Sequence, residues 1–209
     1  MRTRVKFCGC TDWADVEAAI DAGADAVGMI FAASPRHIEW PAFEEIARRI
    51  PPFVTPVGVF ADPKRAEVEA ARDVLPNLVV QLHGNESGTF VSELGGLIVK
   101  AIHVGPGDLL DRLAHRCDEF PDALILFDTA RANRAEPGAA FAWEHVAPMA
   151  LARPVMIAGG LTPANVAACI RTARPFGVDA RSGIEDRKGR KDPAAMAAFV
   201  NAVRAADES

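Results

Sequence analysis

Eight short apolar runs alternate with longer helix-compatible stretches along the 209 residues, and this rhythm restricts the fold more than any bulk property does. The runs cover 5–9, 26–32, 55–61, 78–84, 97–104, 123–129, 154–160 and 177–183, each of strand length and rich in β-branched or other apolar residues. Helices are expected from a cap at Asp12 (or Thr11) to about Asp21, then over 41–50, 62–75, 86–94, 108–119, 141–150 and 192–206, with a further helix-compatible segment after the seventh run. Strands and helices that alternate in this way form parallel sheets with crossover connections. Eight such units in so short a chain predict the α/β class and a parallel eight-stranded (β/α)8 or TIM barrel, one domain over 1–209; the alternative is an open doubly wound sheet.

Composition narrows the partners. A net charge of −5, with no dense Lys/Arg block, argues against a nucleic-acid surface. No apolar run is long enough to span a bilayer, and the start, Met1 to Lys6, leads into a strand rather than a signal peptide, so no membrane partner is expected. Cys8, Cys10, Cys117 and Cys169 form neither a C-x-x-C pair nor a disulfide framework, which fits a reducing cytoplasm.

A barrel carries its chemistry at the C-terminal ends of its strands. Residues two apart on a strand face the same way, so Lys6 and Cys8 share the inward face of the first strand while Val5 and Phe7 meet the helices. By the same parity Asp128 stands at the mouth on the sixth strand, Gln81 and His83 share a face on the fourth, and Asp179 and Arg181 share one on the eighth. A thiol and a carboxyl on opposite sides of one rim suit an isomerisation by proton transfer. Closing the barrel sets the eighth strand beside the first, so Lys6 and Asp179 are expected to pair beneath Cys8.

The last two runs end in Gly159-Gly160 and Ser182-Gly183. Glycine lets a backbone approach a ligand closely, and the N–H groups at the start of a following helix suit an anion. Two such turns in succession predict a phosphate grip, hence a small phosphorylated molecule as partner.

Several segments resemble the phosphoribosylanthranilate isomerase family of tryptophan biosynthesis. They are Lys6-Phe-Cys-Gly9, Gly23-Ala-Asp-Ala-Val-Gly28 with Ser34-Pro-Arg-His-Ile38, Val57-Gly-Val-Phe60, Val80-Gln-Leu-His-Gly84, Ala158-Gly-Gly-Leu161, and Ser182-Gly-Ile-Glu185 with Lys191-Asp192. The resemblance runs over essentially the whole chain in order. It implies an Amadori rearrangement of N-(5-phosphoribosyl)anthranilate, with no cofactor and no metal. It further implies that Asp128 is the general acid that opens the furanose, that Cys8 is the general base at C2, and that Arg36 holds the anthranilate carboxylate. His83 and Asp179 join Arg36 as expected substrate contacts, although a rim histidine also serves to tie down a loop.

The chain departs from the family pattern twice. Ala135-Glu-Pro-Gly138 stands where the family has a glycine-rich loop after the strand-six aspartate, and Arg181 replaces a small or hydroxyl residue before Ser182-Gly183. Other readings remain. A metal-dependent epimerase barrel needs ligands on several strands, and only His83 supplies an imidazole at a strand end, with no second histidine or paired acid beside it. A two-phosphate isomerase needs a second glycine-rich turn in the first half, for which 60–63 and 83–86 are poor candidates. A phosphosugar-binding paralogue without turnover is the alternative from a different class.

Overall fold

A computed structural model describes residues 2–105, 108–129 and 141–208. Within them the strands are β1 (Arg4–Cys8), β2 (Ala26–Ile30), β3 (Thr55–Phe60), β4 (Val79–Leu82), β5 (Ile98–Val104), β6 (Leu124–Thr129), β7 (Val155–Ile157) and β8 (Gly177–Ala180). The helices are α1 (Trp13–Ala22), α2 (Trp40–Arg49), α3 (Arg65–Val74), α4 (Gly88–Leu94), α5 (Leu110–Asp118), α6 (Ala147–Ala152), α7 (Val166–Ala173) and α8 (Pro193–Asp207). The strands are parallel and close in chain order, β8 pairing back to β1, so the open-sheet alternative is excluded. Among the described residues no helix is long and apolar enough to cross a membrane.

Strand parity divides the apolar residues into two layers. Val5, Phe7, Val27, Met29, Ile125 and Phe127 face outward into the core between sheet and helices. Cys8, Ile30, Val57 and Val59 on one side of the barrel interior, and Val99, Ala101, Leu126, Met156 and Ala158 on the other, fill the lumen. Burying an aliphatic side chain contributes roughly 1.5–3 kcal/mol, so a one-residue slip of any strand would forfeit several such terms.

Local chemistry accounts for several helix starts. Asp12 caps α1 by accepting from the Asp15 N–H at 2.9 Å, and Asp192 caps α8 by accepting from the Ala194 N–H at 2.9 Å. Two expectations change. The helix expected over 141–150 is a single 3-10 turn at Trp143–His145 followed by α6. Pro148 lies in the first turn of α6; it has no N–H to donate, and its ring opposes the carbonyl four residues earlier, so no continuous helix runs through it. After β8 the chain makes a 3-10 turn at Ser182–Ile184 and then an antiparallel ribbon, β9 (Glu185–Arg187) with β10 (Arg190–Lys191), before α8 begins. Gly189, at φ +85°, turns that ribbon.

Candidate active site

Parallel register sets Lys6 opposite both Ala26 and Asp179, and Cys8 opposite Gly28. Lys6 and Asp179 are 2% and 7% exposed, and the Lys6 Nζ donates to Asp179 Oδ1 at 2.9 Å. The expected pair therefore forms inside the barrel. Burial works against the Lys6 ammonium, but Asp179 and the Cys8 sulfur outweigh it and hold its pKa above the ordinary 10.5. Gly28 makes room for this group. A Cβ there would stand 3.0 Å from Cys8 Sγ and 3.2 Å from Lys6 Cε.

At the mouth ends of β4, β5 and β6 the inward positions bring together His83, just past β4, with His103 and Asp128. His103 and Asp128 are register partners. His83 Nε2 lies 3.0 Å from Asp128 Oδ2, and the two imidazole rings meet edge-on with centroids 5.0 Å apart. Beneath them the buried Gln81 places its amide 3.1 Å from His83 Nδ1. The loop carrying His83 is fixed from outside the barrel, where Lys100 Nζ donates to Gly84 O at 2.8 Å and to Glu86 Oε2 at 2.7 Å. His103 corrects the reading of His83 as an isolated strand-end imidazole: a second histidine and an acid do stand beside it.

Arg36 lies over Gly9, where a Cβ would come within 2.9 Å of its Cδ. Its guanidinium is already engaged: Nε donates to Glu185 Oε1 at 2.6 Å and Nη2 to Glu185 Oε2 at 2.5 Å. Lys191 Nζ donates to the same carboxylate at 2.9 Å and to the Cys8 carbonyl at 2.7 Å. Burial would raise the Glu185 pKa, but Arg36 and Lys191 together pull it down to about 2. Glu185 thus fixes the direction of Arg36 and leaves Nη1 for a further anion.

The two glycine turns touch each other. Gly183 abuts Leu161, where a Cβ would lie 1.9 Å from the Leu161 carbonyl oxygen. Gly159, at φ +84°, is needed for β6: a Cβ would fall 2.5 Å from the Thr129 N and 2.7 Å from Asp128 Oδ1. Its role in packing is therefore to seat the Asp128 carboxyl, a reason the sequence did not disclose. Gly160 is at φ +68°. Asn165 braces the loop by donating to Gly160 O at 2.9 Å and accepting from the Thr162 N–H at 2.8 Å. The N–H groups of Gly159 and Gly160 precede α7 by several residues, so they belong to a loop rather than to the first helical turn expected. Ser182 and Gly183 open a 3-10 turn, where N–H groups have no acceptor within the turn. The carbonyl of Arg181 accepts from Lys191 Nζ at 3.1 Å. The divergent loop 135–138 lies outside the described residues.

The family model for N-(5'-phosphoribosyl)anthranilate (PRA) isomerase matches residues 5–202. The chain belongs to the N-(5'-phosphoribosyl)anthranilate isomerase family. Among curated relatives, the N-(5'-phosphoribosyl)anthranilate isomerase of Leptothrix cholodnii is 41% identical over 207 residues, covering 99% of this chain and 93% of that protein. That of Dechloromonas aromatica is 42% identical over 211 residues and is matched along the full length of both chains. Among solved structures, the phosphoribosylanthranilate isomerase of Thermotoga maritima superposes with a TM-score of 0.88 at 32% identity, over 97% of this chain and 99% of that one. A complex of a phosphoribosylanthranilate isomerase with reduced 1-(o-carboxyphenylamino)-1-deoxyribulose 5-phosphate superposes with a TM-score of 0.84 at 31% identity, with the same coverage.

In this family member the residues expected from sequence reach one rim from different elements. Cys8 ends β1, Asp128 lies near the end of β6, and His83 follows β4. The glycine turns follow β7 and β8, and Arg36 enters from the loop after β2. Sequence reasoning passed over His103, although the parity of β5 was there to be read, and it gave Glu185 and Lys191 no role. Nothing local announces the grip of Glu185 on Arg36, which spans 149 residues of chain.

Proposed function

We propose that the chain catalyses the Amadori rearrangement of N-(5'-phosphoribosyl)anthranilate to 1-(2-carboxyphenylamino)-1-deoxyribulose 5-phosphate in tryptophan biosynthesis. The observation that carries the reading is the placement of Cys8 and Asp128, both near-buried, on inward faces of one barrel mouth, three strands apart by way of β7 and β8. Asp128 delivers its proton to the ring oxygen, the C1–O bond breaks, and the nitrogen lone pair forms the C1–N double bond of an iminium. The Cys8 thiolate then takes the C2 proton; the released pair forms C1=C2 and returns electrons to nitrogen. The resulting aminoenol becomes the aminoketone by tautomerisation: the C1=C2 pair takes a proton at C1, and the C2 hydroxyl gives up its proton as C2=O forms.

Both proton transfers use side chains of the chain itself, so the chemistry as assigned takes neither metal nor cofactor. The substrate carboxylate goes to Arg36 through Nη1, since Glu185 occupies the other edge of its fork. We assign Asp179, through the oxygen not taken by Lys6, and His83 to substrate hydroxyls. The phosphate is assigned to the N–H groups of Gly159, Gly160, Ser182 and Gly183. All four cysteines are free and buried, which supports a reducing cytoplasm as the place of action.

Complementation tests the function: the gene should restore growth without tryptophan to a strain lacking this isomerase, and failure of a well-expressed protein would favour a binder without turnover. The phosphate grip has its own test. Gly160→Val adds a β-branched side chain at a positive φ and in the path of the anion. Product-analogue affinity should fall about 10-fold or more, as expected when hydrogen bonds to a charged group are lost. Calorimetric titration reads the change, and unaltered affinity would move the phosphate elsewhere.

A further inference from the structure

His83, His103 and Asp128 offer two imidazole nitrogens and a carboxylate oxygen that all lie within 4.8 Å of one another, at the ends of three consecutive strands. Ligand atoms about 2.1 Å from a tetrahedral Zn2+ stand roughly 3.4 Å apart, so small side-chain rotations would close the set around one ion. The donors select the metal class. Two imidazoles with one carboxylate suit borderline ions such as Zn2+, Co2+ or Ni2+, whereas Mg2+ and Ca2+ require oxygen ligands.

A second observation concerns the buried Gln81, whose Oε1 has no hydrogen-bond partner among the described residues while its Nε2 lies 3.1 Å from His83 Nδ1. Turning the amide over exchanges two atoms of nearly equal size, so the side chain keeps its place. It lets Oε1 accept from an Nδ1–H, the arrangement that orients metal-ligating histidines. The Nε2 lone pair then faces Asp128 Oδ2 at 3.0 Å. Two acceptors at that distance need a cation between them, either a proton or a metal ion.

We propose that His83, His103 and Asp128 form a binding site for a borderline divalent cation, of which Zn2+ is the type, and that the bound ion inhibits the enzyme by displacing the proton held between His83 and Asp128. The binding half stands on geometry alone; the inhibitory half rests on the assignment of Asp128 as the acid.

The test starts from protein freed of metal with EDTA, which should retain full turnover. Zn2+ is titrated by calorimetry and by initial rates, and Co2+ serves as its coloured stand-in, with visible absorption bands reporting nitrogen and oxygen ligands. One-to-one binding and inhibition reversed by EDTA are expected. His103→Gln should weaken both by at least roughly 10-fold, the loss that even an outer-shell partner of a metal ligand brings. His83→Gln, read by Co2+ absorption only, should do the same and guards against a variant that misfolds. Absence of binding, or inhibition that survives His103→Gln unchanged, overturns the proposal; the latter would point to metal on the Cys8 thiol. Binding that depends on His103 but leaves turnover intact keeps the metal site and removes Asp128 from the role of acid.

Discussion

Cys8→Ala and Asp128→Asn should each slow turnover roughly 10²–10⁴-fold, the range that a positioned acid or base contributes. Both changes are close to isosteric and sit at the ends of β1 and β6, so the barrel should persist. The variants are expected to bind the product analogue nearly as well as the parent. The phosphate turns and Arg36 lie on other elements, and uniform binding is separable from transition-state stabilisation. Steady-state rates together with analogue titration on the same samples read the result. Near-normal turnover in either variant would strip that residue of its assignment.

Lys6→Met should cost the fold a large part of its stability. It leaves the Asp179 carboxylate buried with its partner gone, and removing one member of a buried pair costs about 3–5 kcal/mol. Denaturant unfolding should show that loss, and Lys6→Met combined with Asp179→Leu should recover much of it, since apolar residues can replace a buried pair without penalty. The pH dependence has a definite sign. Asp179 and Cys8 hold the folded-state pKa of Lys6 above its ordinary 10.5 despite burial. The pair therefore contributes fully below 10.5 and is lost only as alkaline pH rises through the raised value. Unchanged stability in Lys6→Met would mean that the pair contributes nothing to the fold.

Where the sequence reading failed, the failures have physical causes of two kinds. The helix expected over 141–150 breaks because Pro148 permits a new start but not a continuation; that signal was local and readable. His103 was likewise readable, since it shares the inward parity of Val99 and Ala101 on β5. Glu185 was not. Its carboxylate joins Arg36 and Lys191 only after the ribbon following β8 folds over the mouth beside β1 and β2. Gly159 belongs to the same kind. Its close approach to Asp128 and Thr129 is a contact between β6 and the loop after β7, which turn chemistry alone does not reveal.

The sequence by itself determined the eight strand–helix units, the inward direction of Lys6, Cys8, Gln81, Asp128 and Asp179, and the glycine turns after β7 and β8. Strand periodicity and turn preference are properties of neighbouring residues along one chain segment, so they survive without knowledge of the rest. Closure in strand order also let the pairing of Lys6 with Asp179 be read ahead of the structure; only the tertiary structure decided the other meetings: His103 with Asp128, Gly183 against Leu161, and Glu185 on Arg36. Those meetings come from barrel closure and stagger, which the packing of all eight strands settles together and which no single segment encodes.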